Sequence, residues 1–176
     1  MRKALQLLGM LNEVDVDWLV ANGTKQHVRC GTALIHQGIP VDSLYVVLDG
    51  RLSIRLSNTQ REEVATLLSG EILGEISFVD SRPPSASVIA MEDSSVLAIP
   101  QATITEKLQE DPAFSARFYR AVASFLADRL RTTVGRFGYG KNYPDPAADE
   151  LDEYSMEKIS VAAVRFDSVL KRLCVN

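Results

Sequence analysis

The sequence predicts a mainly β fold with flanking helices, because its hydrophobic periodicity changes along the chain. Across residues 25–99, short β-branched runs alternate with glycines, as is typical of a compact sandwich or barrel. Apolar residues recur at helical spacing from Ala4 to Val20 and again after Pro100. A chain of 176 residues is long enough to bury a core without disulfide or metal staples, so we expect one domain with an appendage.

Composition narrows the classes of function. The formal net charge of −4 argues against broad, charge-driven binding to nucleic acid or anionic lipid. The two cysteines lie far apart without metal-type spacing, which favours a reduced, cytoplasmic setting. Acidic residues interrupt the N-terminal region before any long apolar segment, so we expect neither a secretory leader nor a membrane span.

The β region and the helix before it can be assigned in order. Asn12 is placed to cap a helix over residues 13–20, within one or two short N-terminal helices. In SLYVVLDGRLSIRLS, the dipeptide Asp49-Gly50 separates two strand-like runs and tolerates the positive φ angles of a tight hairpin. Further strands are predicted at EVATLL, ASVIA and SSVLAIP.

Two helices are predicted at the C-terminal end. The first has an apolar stripe that packs on the barrel or forms a dimer seam, made of Phe114, Phe118, Val122, Phe125, Leu126 and Leu130. Glycines and prolines then predict a linker at 136–150, and helical spacing returns in the tail. The predicted organisation is a domain with its helices over 1–135, the linker at 136–150, and an amphipathic helical tail at 151–176.

Two segments carry a family resemblance, CGTALIHQGIPVDSLYVVLDGRLSI and LLSGEILGEISFVDSRPPSASVIAMEDSSVLAIP. Their glycine spacing, the Leu-Tyr before the hairpin and the Gly-Glu pair together resemble the cyclic-nucleotide-binding domain of the bacterial catabolite activator protein, protein kinase A regulatory subunits and nucleotide-gated channels. The resemblance runs from roughly Leu5 to Arg131. It implies a double-stranded β-helix, a jelly-roll-like β-roll, followed by a long C-terminal helix, with a phosphate-binding cassette between the halves of the roll.

The resemblance also implies roles for the cassette residues. In the family, the glutamate of Gly-Glu takes the ribose 2′-hydroxyl, an arginine near the end of the cassette pairs with the cyclic phosphate, and backbone amides complete the anion site. Gly74 and Glu75 match the ribose-binding pair, whereas the arginine position falls on Pro84. The candidate ligand-binding residues are Gly74, Glu75, Ile76, Arg82, Ser85, Ala86 and Ser87, and the implied ligand is cAMP or cGMP.

Pro84 weakens this expectation of nucleotide binding. A guanidinium gives a phosphate two charge-assisted hydrogen bonds and a proline gives none. Deleting one partner of a buried charged pair costs about 2–5 kcal/mol, or roughly thirtyfold to several thousandfold in affinity. Arg82 lies two residues earlier and offers a replacement charge if the loop bends, but the simpler interpretation is a solvated loop arginine.

The sequence gives little support for catalysis or for metal binding. Glu75 and Asp80 lack the histidine or nucleophile that acid–base catalysis would require nearby, and Glu75 has an alternative role in tying the loop to backbone amides. His27 and His36 fall on different predicted strands, so we expect no metal site and no metal cofactor. We expect no enzymatic activity.

These observations leave two hypotheses for function. The first is a regulatory module that couples pocket occupancy to its C-terminal helices, with weakened or absent cAMP and cGMP binding. The alternative is a protein-interaction or scaffold module whose pocket is vestigial. In both, the C-terminal helices are expected to meet a second copy or a protein partner. DNA binding is disfavoured, because the roughly 45 residues after Arg131 are too few for a winged helix-turn-helix.

Overall fold

The computed structural model describes residues 10–56 and 63–136, together with five positions of the tail: 164, 167, 169, 171 and 173. Among the elements with both ends inside these described ranges, a helix precedes eight strands, a short helix lies between the sixth and seventh strands, and two helices follow the eighth. The elements are α1 (Glu13–Ala21), β1 (Thr24–Val28), β2 (Ala33–Ile35), β3 (Ser43–Asp49), β4 (Arg51–Arg55), β5 (Glu63–Leu68), β6 (Ile72–Leu73), α2 (Glu75–Asp80), β7 (Ser87–Ala90), β8 (Ser94–Pro100), α3 (Gln101–Glu110) and α4 (Pro112–Arg136).

The strands form two antiparallel four-stranded sheets. One has the order β1-β8-β3-β6 and the other the order β2-β7-β4-β5. This architecture confirms the expected mainly β fold, the jelly-roll-like β-roll, with flanking helices and a long C-terminal helix. Consecutive strands often lie in different sheets, so residues that are distant in sequence meet at the ends of the roll.

Strand β3 shows why its sequence is apolar at almost every position. Tyr45 and Val47 point into the core between the two sheets, whereas Leu44, Val46 and Leu48 point to the opposite face, which the helices cover. Side chains alternate between the two faces along a strand. A strand that is buried on both faces therefore needs apolar residues at successive positions, and not only at every second one. The first sheet is therefore the middle layer of the domain.

Two local predictions hold at atomic detail. Asn12 caps α1, with its side chain accepting from the Asp15 amide while Asp15 accepts from the Asn12 amide. Gly50 adopts a φ of +94° between β3 and β4, and a Cβ there would lie 2.2 Å from Ser94 Oγ. The tight turn therefore requires glycine.

Helix α4 agrees with the predicted stripe except at its C-terminal end. Phe114, Phe118 and Phe125 are buried, but Leu130 is 64% exposed. Leu130 does not pack on the barrel, because the helix extends past the apolar cluster that receives its N-terminal part; its place in a dimer seam stays a prediction. His36 likewise lies just after β2 and not within a strand.

The C-terminal segment is described only in part. Helix α4 ends at Arg136, and the rest of the predicted linker lies outside the described residues, as does most of the apolar face predicted for the tail. The five described tail positions are helical, with Val169 buried in the helix-covered core and Val164 exposed. The division into domain, linker and tail stays a prediction.

Candidate functional site

The cassette begins with a backbone reversal that only glycine tolerates well. Gly74 follows β6 with a φ of +84° and precedes the first residue of α2. A Cβ at this position would lie 2.8 Å from the Ser43 carbonyl oxygen. The requirement for glycine thus arises from both backbone conformation and close packing, and it directs Glu75 inward, where only 2% of the residue is exposed.

A cavity of about 450 Å³ lies beside this turn. The second sheet, the cassette and helix α4 all contribute to its lining, and this volume falls within the range of small-molecule sites, roughly 300–1,000 Å³. Much of the wall is apolar, with contributions from Ile35, Ile54, Leu67, Leu73, Val88 and Phe125. The cavity therefore suits a ligand with a substantial apolar surface.

Five of the seven candidate ligand-binding residues line this cavity. They are Gly74, Glu75, Ile76, Ser85 and Ala86. The cavity lining does not include Arg82, which is exposed and whose amide donates to Asp80 Oδ1 at 3.0 Å. Nor does it include Ser87, whose Oγ accepts from the Gln37 amide at 3.0 Å. The structure thus brings together the glycine-glutamate turn and the small residues after Pro84, without Arg82.

Pro84 itself lines the cavity. Its carbonyl oxygen accepts from the Gly38 amide at 2.9 Å, which ties this part of the cassette to the turn after β2. The position at which the family resemblance places a phosphate-binding arginine therefore faces the cavity without a charged side chain.

The charged partner of Glu75 comes from helix α4. Arg129 Nη1 donates to Glu75 Oε1, and the guanidinium carbon lies 5.0 Å from the ring centroid of Phe125 one turn earlier. Arg129 Nη2 is shielded from solvent and has no hydrogen-bond partner among the described residues. Burial raises the pKa of Glu75 above its usual value, and the neighbouring Arg129 charge only partly opposes that rise.

Helix α4 supplies the part of the site that sequence reasoning missed. Phe125, Asp128, Arg129 and Thr133 all line the cavity. The sequence did not place Phe125 or Arg129 at the cavity, because helical spacing shows which residues share a face but not what that face covers. The i, i+4 pair of Phe125 and Arg129 was the available signal, since it places a cation beside an apolar stripe.

The N-terminal half of α4 is firmly anchored. Asp111 Oδ1 caps the helix by accepting from the Phe114 amide at 2.9 Å. Arg117 donates two hydrogen bonds to Asp15, from Nε at 2.6 Å and from Nη2 at 2.8 Å. Burial raises the pKa of Asp15, but the hydrogen bonds from Arg117 and the Asn12 amide outweigh it, so the pKa lies below its usual value.

The cassette helix also contacts α4 directly. The rings of Phe78 in α2 and Phe118 in α4 meet edge to face, with centroids 5.8 Å apart. Together with the Glu75–Arg129 pair, this contact joins α2 to α4 at two points. A displacement of either element therefore changes the packing of the other.

Two kinds of feature are absent from the described residues. No group of three or more histidine, cysteine, aspartate or glutamate residues within them could hold a metal ion. Within the described ranges, no helix combines the length and the hydrophobicity that a bilayer-spanning segment needs.

Comparison with known proteins identifies the family. Residues 25–111 match the family model of the cyclic nucleotide-binding domain. The chain contains a cyclic nucleotide-binding domain. The NTE family protein Rv2565 of Mycobacterium tuberculosis is 30% identical over 128 residues, which cover 71% of this chain and 22% of that protein. This chain therefore spans about a fifth of the length of that curated relative.

Solved structures agree on the fold. A cyclic nucleotide-binding domain from Methylobacillus flagellatus has a TM-score of 0.70 at 19% identity, with 82% of this chain and 85% of that chain covered. The catabolite activator protein of Thermus thermophilus has a TM-score of 0.64 at 21% identity, with coverage of 96% and 86%. The predicted family resemblance is confirmed, and the family is one of regulatory modules.

Proposed function

We propose that this cyclic nucleotide-binding domain regulates by coupling occupancy of its cavity to the position of helix α4, and that its affinity for cAMP and cGMP is weak. The observation that carries the proposal is the Glu75–Arg129 ion pair. The family resemblance assigns Glu75 to the ligand, and the same carboxylate holds α4. A ligand at Glu75 thus acts on the helix without any intermediate element.

The coupling follows from competition and packing. A ligand hydroxyl that donates to Glu75 changes the carboxylate's interaction with Arg129, and a ligand body in the cavity contacts Phe125 and Thr133 on the same helix. A ligand can shift an equilibrium only by its difference in affinity for the two states. Direct contact between the ligand and α4 provides this difference in affinity. The helix forms part of the cavity wall only in the state in which it is packed against the cassette.

Weak cyclic-nucleotide binding follows from the missing arginine. Pro84 offers the cyclic phosphate no hydrogen-bond donor, and Arg82 lies exposed outside the cavity lining. The loss expected for one charged partner is about 2–5 kcal/mol. The exposed position of Arg82 favours its interpretation as a solvated loop residue, and we expect Arg82→Ala to leave nucleotide affinity unchanged.

The alternative of a protein-interaction module is supported by the surface of α4. Leu130 is 64% exposed and Val134 is 41% exposed on the part of the helix that extends past the core. Apolar residues at i and i+4 form a short stripe of the kind that packs on another helix. A second copy of the chain or a helical partner is the occupant that such a stripe favours.

The decisive experiment combines binding with a measurement on the helix. We would titrate cAMP and cGMP calorimetrically into the wild type, Glu75→Ala and Arg82→Ala, and follow amide hydrogen exchange along α4. Weak binding that Glu75→Ala abolishes, Arg82→Ala preserves, and that alters exchange near Arg129 supports the proposal. Tight binding, or binding that leaves α4 exchange unchanged, contradicts it. Complete absence of binding together with concentration-dependent association would favour the interaction module.

A further inference from the structure

The charged residues of the cavity wall restrict which classes of ligand can bind, and they do so more narrowly than the fold does. Among the described lining residues, Arg129 is the basic one, and its Nη1 is already engaged by Glu75. The other charged residues of that described lining, Glu71 and Asp128, are acidic. An anionic ligand would therefore bring its charge into a largely apolar cavity whose one described cation is already paired. Burying a charge without its own partner is strongly unfavourable.

The polar end of the cavity has a defined hydrogen-bonding pattern. A carboxylate accepts through about four lone-pair positions, so Glu75 can accept a further hydrogen bond beside that from Arg129. Arg129 Nη2 is a buried donor without a partner among the described residues. A buried unpaired donor is unfavourable by about 1–3 kcal/mol. A hydroxyl group matches both needs, because it donates to the carboxylate and accepts from the guanidinium.

We propose that the cavity binds an uncharged ligand with a hydroxyl at the Glu75–Arg129 pair and an apolar or aromatic body against the second sheet, as in a nucleoside, in preference to a cyclic nucleotide. This inference rests on the proposed function and specifies its ligand class. Three observations carry it: the uncharged Pro84, the occupied Arg129 Nη1 and the mainly apolar wall. The selectivity arises from rejection of charge and not from recognition of a particular base.

The nucleosides adenosine and guanosine, each paired with its 3′,5′-cyclic phosphate, provide matched probes because the members of a pair share the base and the ribose 2′-hydroxyl and differ in the charged phosphate that bridges the 3′ and 5′ oxygens. We expect calorimetric titration of the wild type to show at least one nucleoside binding about tenfold or more tightly than its cyclic nucleotide, a difference of about 1.4 kcal/mol. Equal or tighter binding of the cyclic nucleotide overturns the inference. So does failure of both nucleosides to bind at millimolar concentration.

Pro84→Arg provides the reciprocal test. Its guanidinium would enter the cavity at the position where the phosphate lacks a donor, so cyclic-nucleotide affinity should rise roughly thirtyfold or more and the preference should reverse. Pro84→Ala is the matched control, because it removes the proline ring without adding charge, and we expect it to retain the wild-type preference. If Pro84→Arg does not fold, the wild-type titrations still decide the inference.

Hydrogen exchange on α4 separates failure of this inference from failure of the proposed function. If Pro84→Arg binds cAMP and exchange near Arg129 changes, while the wild type ignores both nucleosides, the coupling stands and the ligand class is wrong. If any of these probes binds without a change in α4 exchange, the coupling itself is wrong.

Discussion

Substitution of Arg129 by methionine isolates the contribution of the Glu75–Arg129 pair to stability. Glu75 is almost fully buried and the Arg129 side chain is 26% exposed. Arg129→Met keeps a comparable apolar stem but leaves the Glu75 carboxylate without its counter-charge. Breaking a buried pair by removing one partner typically costs 3–5 kcal/mol, and the partial exposure of Arg129 places our expectation at about 3 kcal/mol.

Urea unfolding monitored by the fluorescence of Trp18, the one tryptophan of the chain, would measure this loss. Trp18 is half-buried and its ring lies 5.5 Å from that of Phe114, so its emission reports the docking of α4 on α1. With a denaturant slope of about 2 kcal/mol/M, the midpoint should fall by about 1.5 M. Arg120→Met, an exposed arginine of the same helix, is the control and should change stability by less than about 0.5 kcal/mol.

A second substitution and a change of pH test the cause. Glu75→Gln combined with Arg129→Met should recover much of the loss, since no uncompensated charge then remains buried. In Arg129→Met alone, the pKa of Glu75 rises further above its usual value, so acidification protonates the carboxylate and the deficit relative to the wild type should shrink as pH falls. An Arg129→Met deficit no larger than that of Arg120→Met, or one independent of pH, would refute the reasoning.

Three further outcomes are expected. Gly50→Ala should lower the free energy of unfolding by about 2 kcal/mol or more, because a side chain there combines a left-handed backbone with a clash against Ser94; urea unfolding measures it. Asp15→Asn should be less stable than the wild type at pH 7, with the difference narrowing below about pH 4, because the lowered pKa of Asp15 contributes stability only while that carboxylate is ionised beside Arg117; unfolding at pH 7 and pH 3 tests the sign. Gly74→Ala should destabilise the cassette and abolish ligand binding, which calorimetry and amide exchange across α2 would show.

The roll was predictable because its determinants are local. The Asp49-Gly50 turn and the glycine-punctuated strands specify hairpins within a few residues, and the apolar character of β3 follows from burial on both faces. The exposure of Leu130 was not predictable from the same rules. Periodicity identifies a helix face, but where the underlying core stops depends on strands far away in sequence.

The sequence likewise predicted only part of the candidate site. Gly74 and Glu75 were found because a short motif carries them, and Ser85 and Ala86 because they follow the position that the family resemblance assigns to the phosphate-binding arginine. Arg129 was missed, since its partner is 54 positions away and the two meet only when α4 packs beside the cassette. A cation that faces a cavity and one that faces solvent have the same appearance on a helical projection.

The anchoring of α4 has a mechanical consequence. Phe118 is held in the core, whereas the helix continues to Arg136, a distance of about 27 Å at ~1.5 Å per residue. If α4 pivots about Phe118, a ligand in the cavity acts on the helix at Arg129, which lies slightly beyond the midpoint between Phe118 and Arg136. A tilt of about 10° would move the helix axis by about 3 Å at Arg129 and by about 5 Å at Arg136, so a displacement produced at the cavity is enlarged about 1.6-fold at the end of the helix.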